Sequence, residues 1–261
     1  VKLLREDGPL IRVGHRGAAA LAPENTLRSF EVALAHGVNA IEFDVLDLAG
    51  GPLVLAHSND LAEVSHGAAV GTVRDRSLAE LRELAPALPT LEEALAFLAE
   101  RDVALHVDLK LTTRLDELVD ALEQRGLVER AVVSSFNRES LRAVTARAPR
   151  IRIGFTYPED RYGVSRQRAF QPAIRLGTLA LRRAIVARIP SMIERVGAAA
   201  LMLHHAVVSA ACVERAHGVG AAVWAWTVDD PAELARLDAA GVDAVITNDP
   251  GLFEAMATLH A

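Results

Sequence analysis

A parallel α/β barrel of the TIM (β/α)8 type, with a small insertion after the second strand, is the fold this chain predicts, and two observations carry the prediction. Short apolar strands alternate with amphipathic helices along all 261 residues, giving eight main strand candidates, each followed by a helix. The polar residues of chemical interest fall at or near the carboxyl ends of those strands, where such a barrel gathers its functional groups at one mouth. A doubly wound open sheet is the alternative, but no glycine-rich fingerprint follows the first strand. Residues 1–261 read as a single domain, since no repeat beyond the βα alternation and no low-complexity linker interrupts them.

Taken in order, Leu10 to Gly14 forms the first strand and ends in His15-Arg16-Gly17. Pro23-Glu24-Asn25-Thr26 opens a helix with Leu27, Phe30 and Leu34 at helical spacing and Gly37 as its stop. The second strand, around Ile41 to Val45, sets Glu42 and Asp44 on one face. Gly50-Gly51-Pro52 then turns the chain, and Leu53-Val54-Leu55 brings back His57. Ser77 to Glu80 and Thr90 to Glu93 both match the capping box, so a short helix starts at each.

Val103 to Lys110 is the next strand, with His106, Asp108 and Lys110 on one face. Leu115, Leu118, Val119 and Leu122 mark a helix closed by Gly126; Ala131 to Phe136 is a strand, Arg138 to Arg147 a helix and Ile151 to Phe155 a strand. Pro172 to Ile189 predicts a long Arg-rich helix that ends or kinks near Pro190. Ala199 to Leu203 and Ala221 to Trp226 are strands flanking a helix from Ser209 to His217. Asp230-Pro231 starts a helix, Asp243 to Ile246 is the last strand and Asp249-Pro250 starts the last helix.

The composition, 51% apolar, supports a large core, and a formal charge of −6 argues against nucleic acid as a partner. Residues 150 to 195 run against that balance with ten Arg to three acids, and the 161 to 195 stretch reads as a solvated helix face. A single cysteine, Cys212, excludes an intrachain disulfide or a cysteine metal cluster. The start carries no apolar signal segment, so a cytoplasmic location is expected. Residues 196 to 213 are almost long and apolar enough for a membrane span, but His204-His205 interrupts them, and no stable membrane insertion is expected.

Two acids at i and i+2 on an inward strand face repel each other and lose hydration, so a positive charge must sit between them. Hard cations such as Mg2+ or Ca2+ are held by carboxylate oxygens, and Glu42 and Asp44 supply them. Asp108 and Lys110 read either as part of that site or as an internal ion pair. His106 sits deeper on the same face as a core histidine, and His204 and His205 read as loop or core residues. Trp226 packs at the mouth, as core or as a wall for substrate.

These residues occur in an ordered set: His15-Arg16-Gly17, Pro23-Glu24-Asn25-Thr26, Glu42-Phe43-Asp44-Val45, Leu53-Val54 with His57, Pro89 to Glu93, Asp108-Leu109-Lys110, Ser135-Phe136, Trp226-Thr227-Val228 and Gly241-Val242-Asp243 with Thr247. The set resembles the glycerophosphodiester phosphodiesterase family from about residue 11 to 250. The resemblance implies hydrolysis of a small-molecule glycerophosphodiester to an alcohol and sn-glycerol 3-phosphate. It implies His15 and His57 as the acid–base pair and Glu42, Asp44 and Asp108 as ligands of Mg2+ or Ca2+. Arg16, Lys110, Ser135 and Trp226 are the expected substrate-binding residues. The substrate's own glycerol hydroxyl is the family's nucleophile, giving a cyclic phosphate that water opens.

Two departures stand out. Asp108 replaces the family's usual Glu and is about 1.5 Å shorter. Ser58 follows His57 where the family usually has Asp, so Asn59 or Asp60 is left to orient the imidazole. The rival readings are a lysophospholipase D-type or sphingomyelinase D-type enzyme, with an apolar surface sought on the Ile174 to Ile189 helix, and a catalytically silent phosphate-binding barrel.

Overall fold

The computed structural model describes residues 1–5, 8–159 and 171–254, with the backbone alone for 171–176. Its nine strands are β1 (Ile11–Gly14), β2 (Ala40–Asp47), β3 (Leu53–Leu55), β4 (Ala104–Leu109), β5 (Ala131–Ser135), β6 (Arg152–Tyr157), β7 (Ala200–His204), β8 (Ala222–Trp226) and β9 (Ala244–Thr247). Eight of them are parallel neighbours in the order β1-β9-β8-β7-β6-β5-β4-β2, and β1 also pairs with β2, so the sheet closes on itself. The expected barrel forms. The ninth, β3, lies antiparallel on the carboxyl end of β2, pairing Val45 with Leu55.

Period two along each strand divides its residues between two cores. Ile41, Phe43, Val45, Val133, Leu201, Leu203 and Val223 face outward into the layer between barrel and helices. Ala40, Val132, Ala200, Met202, Ala222, Trp224, Ala244 and Ile246 fill the inside. Small residues surround the fully buried Trp224, whose indole N–H donates to the Leu3 carbonyl at 3.0 Å and draws Leu3 under the amino end of the barrel. Gly154 leaves the space that Met202 fills, since a Cβ there would lie 2.4 Å from the Met202 Cε.

The outer helices begin where hydroxyl and carboxamide side chains accept early backbone amides. Thr26 caps α1 (Leu27–Ala35), Ser77 caps α3 (Leu78–Leu84) and Thr90 caps α4 (Leu91–Ala99), each in a capping box. Between α1 and α3, Asp60 caps the single turn α2 (Leu61–Val64). Helices α5 (Leu115–Gln124), α6 (Arg138–Arg147), α7 (Gln171–Glu194), α8 (Ala210–His217) and α9 (Pro231–Ala239) complete the layer. Residues 252–254 are helical, and the expected last helix otherwise falls on 255–261, outside the described residues.

The insertion from β3 to α3 packs with the end of β2 around a second apolar centre: Leu46, Leu48, Val54, Ala56, Leu61, Val73, Leu81 and Leu88. Of the two outcomes expected at Pro190, an end does not occur: helix α7 runs through it to Glu194. Burial of Ile185, Ile189 and Met192 against the barrel outweighs the lost amide. The same burial removes Ile185 and Ile189 from any surface offered to an acyl chain; within 160–170, the expected Arg-rich stretch lies outside the described residues. Residues 196 to 213 resolve into β7 and the start of α8. No helix among the described residues is long and apolar enough to cross a membrane.

Candidate active site

Pairing of β2 with β4 sets Glu42 beside His106 and Asp44 beside Asp108, and pairing of β4 with β5 sets Asp108 beside Ser134. All of these side chains are buried, and oxygens of Glu42, Asp44 and Asp108 lie within 4.8 Å of one another. Two cations enter the cluster. Lys110 Nζ is 2.5 Å from Asp108 Oδ2 and 3.1 Å from Asp44 Oδ1, and Arg16 Nε is 3.1 Å from Asp44 Oδ2.

Burial alone would push the Asp44 carboxyl up, but Lys110 and Arg16 outweigh it and hold Asp44 well below the usual carboxylate range. Glu42 goes the other way: burial and the charges of Asp44 and Asp108 raise it well above that range. Three acids therefore share too little positive charge for all to ionise. A pocket of hard oxygen donors with that deficit fits a divalent cation such as Mg2+ or Ca2+.

The strand-end loops hold this cluster in place. Arg16 (φ 49) and Gly17 (φ 86) reverse the chain after β1, and a Cβ at Gly17 would lie 2.4 Å from Ser29 Oγ. The turn aims the Arg16 amide at Glu42 Oε2, 2.7 Å away, while its guanidinium reaches Glu24 at 2.8 Å. Asn25, also left-handed (φ 55), clasps Asp44: its Nδ2 donates to Asp44 Oδ2 at 2.9 Å and its Oδ1 accepts the Asp44 amide at 3.0 Å.

The two histidines have different supports. His15 Nδ1 meets Asn248 Oδ1 at 2.6 Å, and Asn248 Nδ2 donates to Asp229 Oδ2 at 2.6 Å. Because Asp229 can only accept, the Asn248 oxygen must face the ring, so His15 carries its proton on Nδ1. Its Nε2 is then a bare acceptor, 3.9 Å from Glu42. Burial and the neighbouring Arg16 lower His15 to about 4, keeping it neutral. His57 stands on the insertion, where Nδ1 meets Glu63 Oε1 at 2.6 Å and Ser58 Oγ donates to Glu63 Oε2 at 2.5 Å.

Neither Asn59 nor Asp60 takes the place expected for it beside His57. Asn59 Oδ1 accepts the Arg74 amide at 2.7 Å, and Asp60 Oδ1 accepts the Ala62 amide at 2.9 Å. His106 lies under the cluster, lowered to about 4 chiefly by burial; its Nε2 is 2.8 Å from Ser134 Oγ, which donates to Asp108 Oδ1 at 2.5 Å.

Ser135 Oγ accepts the Asn137 amide at 3.0 Å, capping a turn, and its residue lines a groove of about 880 Å3 together with His57, Lys110, Phe136, Arg138 and Tyr157. Trp226 meets Phe136 and His204 edge-on at 6.0 and 5.3 Å, and its indole N–H donates to the Met202 carbonyl at 2.9 Å. The residues not singled out beforehand are Glu63, Asn248, Asp229 and Ser134. Asn25 stood within a quoted motif without a role.

A closed barrel with acids, cations and imidazoles gathered at the carboxyl ends of its strands belongs to the α/β-barrel enzymes. The profile of the Glycerophosphoryl diester phosphodiesterase family matches residues 15–252. The chain belongs to that family, and with it to the phosphoric diester hydrolases. It is 28% identical to a glycerophosphodiester phosphodiesterase of Caldanaerobacter subterraneus subsp. tengcongensis, over 91% of this chain and 93% of the relative.

Among solved structures, a putative glycerophosphoryl diester phosphodiesterase from Silicibacter pomeroyi superposes with a TM-score of 0.76 at 24% identity, covering 96% of this chain and 93% of that one. A phosphodiesterase from Oleispira antarctica, in complex with the product sn-glycerol-3-phosphate, gives 0.75 at 24% identity, covering 95% and 97%.

Proposed function

We propose that this chain hydrolyses glycerophosphodiesters to an alcohol and sn-glycerol 3-phosphate, with a divalent metal and with His15 and His57 as the acid–base pair. The observation that carries the reading is the meeting of a buried acid cluster short of positive charge with two imidazoles of opposite support. Glu42, Asp44 and Asp108 would hold Mg2+ or Ca2+, which supplies positive charge against the phosphoryl oxygens when bound.

Lys110 and Arg16 add fixed charge to the same end of the barrel, where an anionic diester has to gain charge in the transition state. Neutral His15, with Nε2 bare, takes the proton of the substrate's glycerol hydroxyl. His57, backed by a carboxylate, gives a proton to the leaving oxygen, and the cyclic phosphate that forms is opened by water with the roles reversed. The groove of about 880 Å3 beside His57 and Lys110 accommodates the alcohol half of the diester. Phe136 and Trp226 form an apolar side of the mouth.

Phe136 and Tyr157, both partly exposed, also line that groove, and they keep an acyl-bearing lysophospholipid in view as a second substrate class. The test is release of glycerol 3-phosphate from glycerophosphocholine, glycerophosphoethanolamine and glycerophosphoglycerol after chelation, then with Mg2+, Ca2+ or Mn2+ restored. Metal-restored release is the expected outcome. Turnover of lysophospholipids or sphingomyelin alone would move the enzyme to the D-type lipases, and no turnover of any diester would leave a phosphate-binding barrel.

A further inference from the structure

Glu63 lies on the single turn α2, six residues beyond His57, and both of its oxygens are committed. Oε1 accepts the His57 Nδ1–H at 2.6 Å and Oε2 accepts the Ser58 hydroxyl at 2.5 Å, so the carboxylate plane is held at two points. Arg16 Nη1 stands 3.6 Å from Oε1 on the remaining side. Helix capping does not account for this geometry, since Asp60 already accepts the first free amide of α2. The neighbouring His57 and Ser58 donors outweigh partial burial and push the Glu63 carboxyl down to about 2, so it stays ionised wherever the enzyme works.

We propose that Glu63, clamped by Ser58, is the positioning residue that fixes the ring plane and proton placement of His57 for phosphodiester cleavage. The inference rests on the reading of His57 as an acid–base group. An imidazole with Nδ1–H bound to a carboxylate must present Nε2 to the substrate; a ring flipped about Cβ–Cγ would present carbon instead. The carboxylate also holds a proton on Nδ1, so proton exchange with a leaving oxygen passes through Nε2. Two-point clamping matters because β3 and α2 are an insertion outside the barrel, so the ring's orientation is not set by strand geometry.

The experiment compares wild type with Glu63→Ala, Glu63→Gln and Ser58→Ala by kinetics and by 1H–15N correlation of the histidine side chains, with urea midpoints to confirm folding. Glu63→Ala is expected to lower kcat on the order of 100-fold with KM little changed, as for a reacting group displaced by about 1 Å. It should also abolish the His57 Nδ1–H signal. Glu63→Gln keeps an acceptor without the charge, so it should retain the signal with an intermediate kcat and serves if the alanine variant does not fold. Ser58→Ala should give the smallest loss.

Wild-type kcat in Glu63→Ala would overturn the proposal, as would a loss of kcat with an unchanged ring signal, which would assign Glu63 to the fold of α2 alone. If the wild type turns over no diester, the functional reading fails separately and the ring signal alone decides: its loss in Glu63→Ala supports the positioning, its persistence overturns it.

Discussion

The two histidines of this site are alike in sequence and unlike in support. His15 leaves the end of a barrel strand, is 17% exposed, and leans on an amide that Asp229 orients. His57 stands on an insertion, is about a quarter exposed (27%), and leans on a carboxylate. A neutral partner leaves His15 to the lowering effect of burial and Arg16, whereas Glu63 gives His57 an anionic acceptor that fixes its Nδ1 proton. The proposed division of one residue type into a base and an acid rests on this difference.

Removing the acid cluster beside that contrast, or its buried-side histidine, should have the largest effect. Glu42→Ala should abolish metal-dependent turnover, and calorimetry should show lost Mg2+ binding. His15→Ala should cost roughly 10²–10⁴-fold in kcat, the range for a general base, while calorimetry shows metal binding near that of wild type. Equal loss of metal binding in both variants would remove His15 from proton transfer.

The contrast can also be inverted. Asn248→Asp puts a carboxylate beside His15, and an NMR titration should show its pKa rise from about 4 toward neutrality. An unmoved titration would mean that burial alone keeps the ring neutral.

A smaller effect separates buried from exposed imidazoles in stability. His15, His106 and His204 are each lowered from 6.5 to about 4, mainly by burial. Between those values the unfolded chain binds protons that the native chain refuses. The urea midpoint should therefore fall as pH drops from about 6.5 to 4, and the part due to these rings should level below that. His106→Gln should flatten the slope. The smallest change belongs to the insertion: Ser77→Ala removes one capping hydroxyl and should cost about 1 kcal/mol by urea denaturation.

Where alternation meets water or charge, the sequence is readable. Glu42 and Asp44 between apolar residues, and His106, Asp108 and Lys110 two strands on, declare which face turns inward, so the acid cluster and the barrel follow. Ala131-Val132-Val133-Ser134-Ser135 is buried on both faces, and an unbroken apolar run has no visible phase. Only the register with β4 shows that Ser134, not Ser135, meets Asp108.

Glu63 was hidden for another reason, because its reach depends on how α2 folds back over β3. Asn248 and Asp229 meet His15 through loops more than 200 residues away in the chain, and no local spacing encodes that. Pro190 shows tertiary burial prevailing over a local stop signal.

The insertion that carries His57 packs on an apolar centre that it shares with Leu46 and Leu48 at the end of β2, separate from the inside of the barrel. One consequence concerns descent rather than chemistry. A segment that meets the barrel chiefly at the end of β2 can drift, lengthen or be exchanged while the barrel's interior and its acids stay under their own constraints. The wall of the groove that carries His57 is then free to diverge between lineages, whereas the acid cluster of the barrel is not.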